Sequence, residues 1–268
     1  MTPEPPTREA LAALIAWYQA MGVDAAIEEE AVDRFAAAAA VPVAVPPPVP
    51  TAPAPAIPPR TLEAAATAAV DVETVRALAR SAPTLSALRA ALEAFEGCGL
   101  SKTANRLVFG DGAPGARLML VGEAPGREED LQGLPFVGPS GRLLERMLAA
   151  IGLSREAVYI ANVVPWRPPA NRKPTPEETT LCKPFLERQI ELVDPDVLVC
   201  LGDAAAKEIL GVREGILSLR GRWFDFPTGR RTIRAVATLH PAYLLRQPLQ
   251  KRLAWRDLLA VKAALDGG

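Results

Sequence analysis

From Arg117 onward the chain alternates short apolar runs with amphipathic stretches, and this alternation restricts the fold more than any other feature. The runs are Leu118-Met119-Leu120-Val121, Val158-Tyr159-Ile160-Ala161, Val197-Leu198-Val199-Cys200-Leu201 and residues 233–239. Each reads as a buried strand. Between and after them, helical spacing of apolar residues predicts helices over Gly141–Ile151, Thr175–Leu192, a stretch ending before Gly211, and Gln250–Leu265. Strands alternating with helices imply an α/β fold, a mostly parallel central sheet with helices on both faces. Upstream, helices are expected over Val72–Arg80 and Leu85–Phe95, the latter with Thr84 as N-cap.

Polar residues stand just beyond the carboxyl ends of three strands: Glu123, Asn162 and His240. Open α/β sheets bind ligands along that edge, so the three can converge although far apart in sequence. His240 is the only histidine in the chain and opens the run His240-Pro241-Ala242-Tyr243-Leu244-Leu245-Arg246. Read as a loop after a strand, this run offers an imidazole, an apolar wedge of two exposed leucines and a phosphate-type contact. Drawing a base out of a DNA duplex and acting on it uses that combination. A structural histidine at a strand end is the simpler alternative for His240 taken alone.

Charge is unevenly distributed. Residues 1–98 carry 6 Lys+Arg against 12 Asp+Glu, whereas residues 99–268 carry 24 against 19. Around His240, residues 213–256 hold 10 basic and 2 acidic side chains, as expected of a surface that follows phosphates. Residues 42–59 contain nine prolines and neither glycine nor charge, which favours an extended tether. The expected organisation is therefore an acidic N-terminal extension over residues 1–41 with one helix over 7–21, a proline/alanine-rich linker over 42–60, and a domain over 61–268. The extension suits a protein partner or a purely solubilising role. Three cysteines argue against a disulfide framework and for a reducing cytoplasm, and no apolar run reaches membrane-spanning length.

The segments Val-Phe-Gly-Asp-Gly at 108–112, Gly-Glu-Ala-Pro-Gly at 122–126, Pro-Phe-Val-Gly-Pro-Ser-Gly at 135–141, Asn162, Arg-Pro-Pro-Ala-Asn-Arg at 167–172 and the His240 run occur in one order, at strand ends. Together they resemble uracil-DNA glycosylases of the family-4 type, over a core from about Cys98 to Leu265. The resemblance implies the α/β/α sandwich of that superfamily. It also implies hydrolysis of the N-glycosidic bond of uracil in single- or double-stranded DNA, as a first step of base-excision repair. Gly122, Ala124, Phe136, Asn162 and His240 would bind uracil, with Glu123 and His240 carrying the chemistry. Glu123 would favour positive charge at C1′ or hold the attacking water. Phe136 would stack on the base, Asn162 would pair with N3–H and O4, and His240 would stabilise charge appearing on O2. Leu244 and Leu245 would enter the stack, Arg246 would contact a phosphate, and Pro139, Ser140, Pro168 and Pro169 would stiffen loops that press on the backbone.

One departure stands out. Members of the family typically hold a 4Fe-4S cluster on four cysteines. At the corresponding positions this chain has Phe95, Cys98, Trp166 and Cys182, and two of these are apolar aromatics that cannot bind iron. No cofactor is therefore expected, with Phe95 and Trp166 filling the vacated volume and Cys200 buried in its strand. Two other functions are weighed against hydrolysis. A binder that traps the abasic sugar is disfavoured: such relatives carry an extra histidine in a basic insertion after the Asn162 position, and Gln where this chain has Ala124. A broader mismatch or damaged-base glycosylase stays open.

Overall fold

The structure is a computed structural model that describes residues 71–267, together with Arg8 alone of the preceding segment. Arg8 apart, the helix expected over 7–21 and the proline-rich tether lie outside the described residues.

Six strands form one sheet. In chain order they are β1 (Asp111–Gly112), β2 (Leu118–Gly122), β3 (Tyr159–Asn162), β4 (Val197–Leu201), β5 (Trp223–Pro227) and β6 (Thr232–Thr238). Their order across the sheet is β1-β3-β2-β4-β6-β5. The four inner strands are parallel, and the two edge strands β1 and β5 run antiparallel to their neighbours. The register sets Gly122 beside Asn162 and Leu201 beside Thr238, so the inner strands end along one line.

Strand alternation divides the core into two layers. Met119, Val121, Tyr159, Ala161, Leu198, Cys200, Ala235 and Ala237 face one layer. On that side lie helices α1 (Val72–Ser81), α2 (Leu85–Glu93), α5 (Pro176–Val193) and α6 (Asp203–Leu210). Leu118, Leu120, Ile160, Val197, Val199 and Val236 face the other layer with α4 (Pro139–Ala150) and α9 (Lys251–Asp266). Each fully buried leucine or valine contributes about 1.5–3 kcal/mol, which makes this two-sided burial the main stabilising term. Short helices α3 (Arg127–Gln132), α7 (Ile216–Leu219) and α8 (Pro241–Arg246) complete the domain.

Local sequence explains where helices begin. Thr84 Oγ1 accepts from Ala87 N at 3.2 Å and starts α2. Thr175 and Glu178 exchange side-chain-to-backbone hydrogen bonds of 3.2 and 2.8 Å, with Pro176 in the first turn of α5. Helix α4 begins at Pro139, two residues before the expected start, because proline is at ease in a first turn.

The run after His240 is a helix, not a loop. His240 caps it, Pro241 opens it, and Leu244 turns inward to pack with Leu239 and Ala254. Leu244 is 1% exposed and Leu245 43%, so the expected pair of exposed leucines is a single exposed one. Adjacent residues on a helix point about 100° apart, which sends one in and one out. The basic stretch is also not one open surface: Arg220 pairs with Asp257, Arg222 with Glu214, and Arg231 with Asp194 and Asp196. Arg234 lies over the Trp223 ring.

Candidate active site

At the carboxyl edge of β2, β3, β4 and β6 lies a cavity of about 590 Å³, open to solvent on one side. Of the residues singled out in the sequence, Glu123, Ala124, Phe136, Ser140, Asn162, Pro168, His240 and Arg246 line it. Gly122 lies behind rather than on the wall. A β-carbon there would come within 2.7 Å of the Phe136 ring and would strike the Asn162 side-chain Oδ1, so glycine is what lets the ring and the amide sit together. Pro139, Pro169, Leu244 and Leu245 are not on the cavity wall. Pro139, Pro169 and Leu245 are exposed nearby in sequence, whereas Leu244 belongs to the core. The wall also includes Asn171 and Tyr243, which lie in quoted motifs but have no role assigned from the sequence, and Glu129, Lys173, Gly202 and Asp203, which lie outside the motifs.

His240 follows Leu239, two residues beyond the end of β6. Its Nδ1 accepts the Ala242 amide at 3.1 Å, so the imidazole itself caps α8. A ring nitrogen that accepts an N–H carries no proton, and the neutral ring therefore bears its hydrogen on Nε2. Burial, helped by Arg246, lowers the His240 pKa to about 4 against a weaker opposing pull from Glu129. The ring is neutral at pH 7. Beneath it Gly202 has φ +95°, and a β-carbon there would press against the His240 Cβ at 3.0 Å.

Glu123 follows β2 directly. Burial raises its pKa, Lys173 pulls it down and Asp203 raises it again. Asn162, 5% exposed, closes β3 and faces the cavity. The Phe136 ring lies 5.5 Å from the His240 ring and is tilted by 31°. Its backbone is left-handed, φ +53°, which costs a phenylalanine on the order of 1–3 kcal/mol unless the surroundings hold it. Glu129 holds it from one side by accepting Val137 N at 3.0 Å and Gly138 N at 2.9 Å, while also accepting Gly126 N at 3.1 Å. Ala170 and Asn171 are left-handed too, φ +54° each, and this turn places Asn171 on the wall while its Oδ1 accepts from Arg167 Nε at 2.7 Å.

Away from this edge, the positions compared with cluster ligands are all buried: Phe95, Cys98, Trp166 and Cys182 are 8%, 0%, 4% and 1% exposed. Phe95 packs on Phe185 with centroids 5.2 Å apart. The Cys182 thiol hydrogen-bonds to Cys98, lowering the latter to about 7 and pushing its own pKa well up. Cys200 is buried in β4 and its thiol is raised by burial. Among the described residues no group of three or more His, Cys, Asp or Glu is placed to hold a metal ion. None of the described helices is long and apolar enough to cross a membrane.

Residues 109–259 match the model of the uracil DNA glycosylase superfamily. The chain is 46% identical over 155 residues to a type-4 uracil-DNA glycosylase of Archaeoglobus fulgidus, covering 56% of this chain and 78% of that protein. It is likewise 46% identical over 169 residues to a type-4 uracil-DNA glycosylase of Thermotoga maritima, covering 62% and 86%. A type-5 uracil-DNA glycosylase of Thermus thermophilus is 35% identical over 147 residues, covering 48% and 67%. With its motifs gathered at one sheet edge and the match running through most of the described domain, the chain belongs to the uracil DNA glycosylase superfamily.

Proposed function

We propose that the protein is a uracil-DNA glycosylase of DNA repair, which hydrolyses the bond between uracil N1 and deoxyribose C1′ to give free uracil and an abasic site. The observation that carries this reading is the state of His240: its Nδ1 is held by Ala242 N, so a neutral Nε2–H is the ring's free donor in the cavity that Glu123, Phe136 and Asn162 also line.

A flipped uracil would stack on Phe136, a contact worth roughly 1–3 kcal/mol per base. The Asn162 amide would accept from N3–H and donate to O4, and cytosine would leave these groups mispaired. As the glycosidic bond breaks, its electron pair moves onto the base, and His240 Nε2–H would donate to O2 of the uracil anion. A neutral donor suits this role because it strengthens its hydrogen bond only as the charge appears; one such donor is worth roughly 10²–10³ in turnover. Ionised Glu123 would favour the positive sugar. With Asn171 it would orient the water whose oxygen bonds to C1′ and whose proton is released. Arg246, Ser140, Pro168 and the exposed Pro139, Pro169 and Leu245 would hold the DNA backbone and the gap left in the stack. Leu244, already part of the core, has no such role.

The residues at the cluster positions do not fit an iron–sulfur cluster. Two thiols remain, two aromatics occupy the other positions, and Phe95 is packed on Phe185. We infer that the cluster is absent and that the packed aromatics replace it. The buried free thiols fit a reducing cytoplasm. For residues 1–41 we infer attachment to another protein, supported by the acidic composition and the proline-rich spacer.

The test is incubation of the full chain with a uracil-containing oligonucleotide, followed by alkali. Strand cleavage at the former uracil is expected, and an intact strand contradicts the assignment. A heat- and denaturant-stable adduct with DNA would instead favour the trapping alternative.

A further inference from the structure

We infer that Arg155 is a positioning residue for the uracil-stacking ring, acting with Asp111. The inference rests on the functional reading above and concerns a cation that touches no substrate. Arg155 opens the short turn before β3 and is buried over most of its side chain, which is 14% exposed. Its Nη1 donates to the Phe136 carbonyl at 2.9 Å and its Nη2 to the Pro135 carbonyl. Nε donates to Asp111 Oδ2 at 2.6 Å, and Nη1 also reaches Glu145 Oε1 at 3.3 Å.

The planar fork therefore grips two consecutive carbonyls in the loop that carries the ring. Asp111 fixes the cation's direction from β1, which pairs antiparallel with β3 at Ile160. This gives the acidic residue of the Val-Phe-Gly-Asp-Gly segment a task that the catalytic scheme leaves unassigned. On the far side of the same turn Glu129 accepts the next two amides. Phe136 is thus held at φ +53° by a cation on its carbonyl and a carboxylate beyond it. Gly141 completes the clamp, because a β-carbon there would overlap the Phe136 carbonyl. A lysine could keep the ion pair with Asp111, but a single ammonium lacks the flat fork that meets both carbonyls.

The experiment is single-turnover excision by the full chain, with Arg155→Ala, Arg155→Lys, Phe136→Ala and the double variant Phe136→Ala/Arg155→Ala. Affinity for DNA carrying a tetrahydrofuran abasic analogue, which has no base to stack, is measured in parallel. Misplacing a reacting group by a fraction of an ångström to an ångström costs up to about a hundredfold, so Arg155→Ala is expected to slow excision by roughly tenfold or more. Analogue affinity should stay within about twofold, and Arg155→Lys should lose several-fold in rate. Because the arginine acts through the ring, its loss in the Phe136→Ala background should change the rate by less than about twofold. Where Arg155→Ala fails to fold, Arg155→Lys decides. Fully additive losses, or a lysine variant as fast as wild type, overturn the inference while wild-type excision keeps the functional reading intact. A wild-type chain that releases no uracil overturns both.

Discussion

Because the chain has one histidine, the protonation state on which the scheme depends is open to direct measurement. The folded protein should show a single imidazole titration with a pKa near 4, against an ordinary 6.5. A shift of that size corresponds to about 3 kcal/mol, at about 1.4 kcal/mol per unit. The sign follows from which state binds the proton. Between pH 6.5 and 4 the unfolded chain holds a proton on His240 that the folded protein does not, so stability falls as pH is lowered through this window. Above 6.5 the group contributes no pH dependence. Replacing it by a neutral amide in His240→Gln should remove that part of the acid sensitivity. The assay is proton NMR of the imidazole ring signals from pH 3.5 to 8, with urea midpoints of wild type and variant over the same range. An imidazole titrating near 6.5, or equal acid sensitivity in both proteins, refutes the argument that His240 acts as a neutral donor.

Four further outcomes are expected. In the proposed scheme Glu123 acts ionised, and burial raises its pKa above 4.5, so excision should fail as pH drops through that raised value and the acid limb of the rate profile should flatten in Glu123→Gln; an unchanged limb assigns it to another group. Leu244→Ala should destabilise the fold by about 2–5 kcal/mol in urea denaturation, whereas Leu245→Ala should leave stability nearly unchanged and slow excision from duplex DNA more than from single strands. Arg246→Ala should weaken DNA binding at every sequence and reduce the slope of log affinity against log salt by about 1, as measured by titration at several salt concentrations. Deleting residues 1–60 should leave excision on short oligonucleotides nearly unchanged, and a large loss with the remaining domain still folded would show that the extension completes the site or the DNA grip.

The inner strands were legible because burial on both faces leaves short, largely apolar runs, broken in β6 only at its exposed start and by Thr238, and the positions at or just beyond their ends located Glu123, Asn162 and His240. The edges were not. β1 is only two residues long and carries no apolar run, whereas β5 offers Trp223, Phe224 and Phe226, a signal broken by Asp225 and closed by Pro227 in a strand with no fully buried residue. Helix α8 carried a signal that was missed, since Pro241 directly after a polar residue marks a first helical turn. Taking that run as a loop led to the misplacing of Leu244. Asn171 reaches the cavity through two successive left-handed residues, and hydropathy is blind to that; the tolerance of asparagine for such a backbone is the one hint in the sequence. Arg155 lies in no motif, and its partners at 111, 135, 136 and 145 come together only in three dimensions. Of the arginines near His240, Arg220 is largely buried against Asp257, while Arg222 and Arg231 form exposed ion pairs, contacts that charge counting along the sequence does not show.

The central claim is that this cavity selects uracil and releases it by hydrolysis with the chain's own side chains. The direct measurement is chromatographic quantification of free base and of abasic sites after incubation of the full chain, in chelator, with matched oligonucleotides bearing uracil, cytosine or thymine at one position. Free uracil equal in amount to new abasic sites, with no cytosine released and loss of the reaction in His240→Ala, is the predicted result. Absence of free uracil, or undiminished release by His240→Ala, would contradict it.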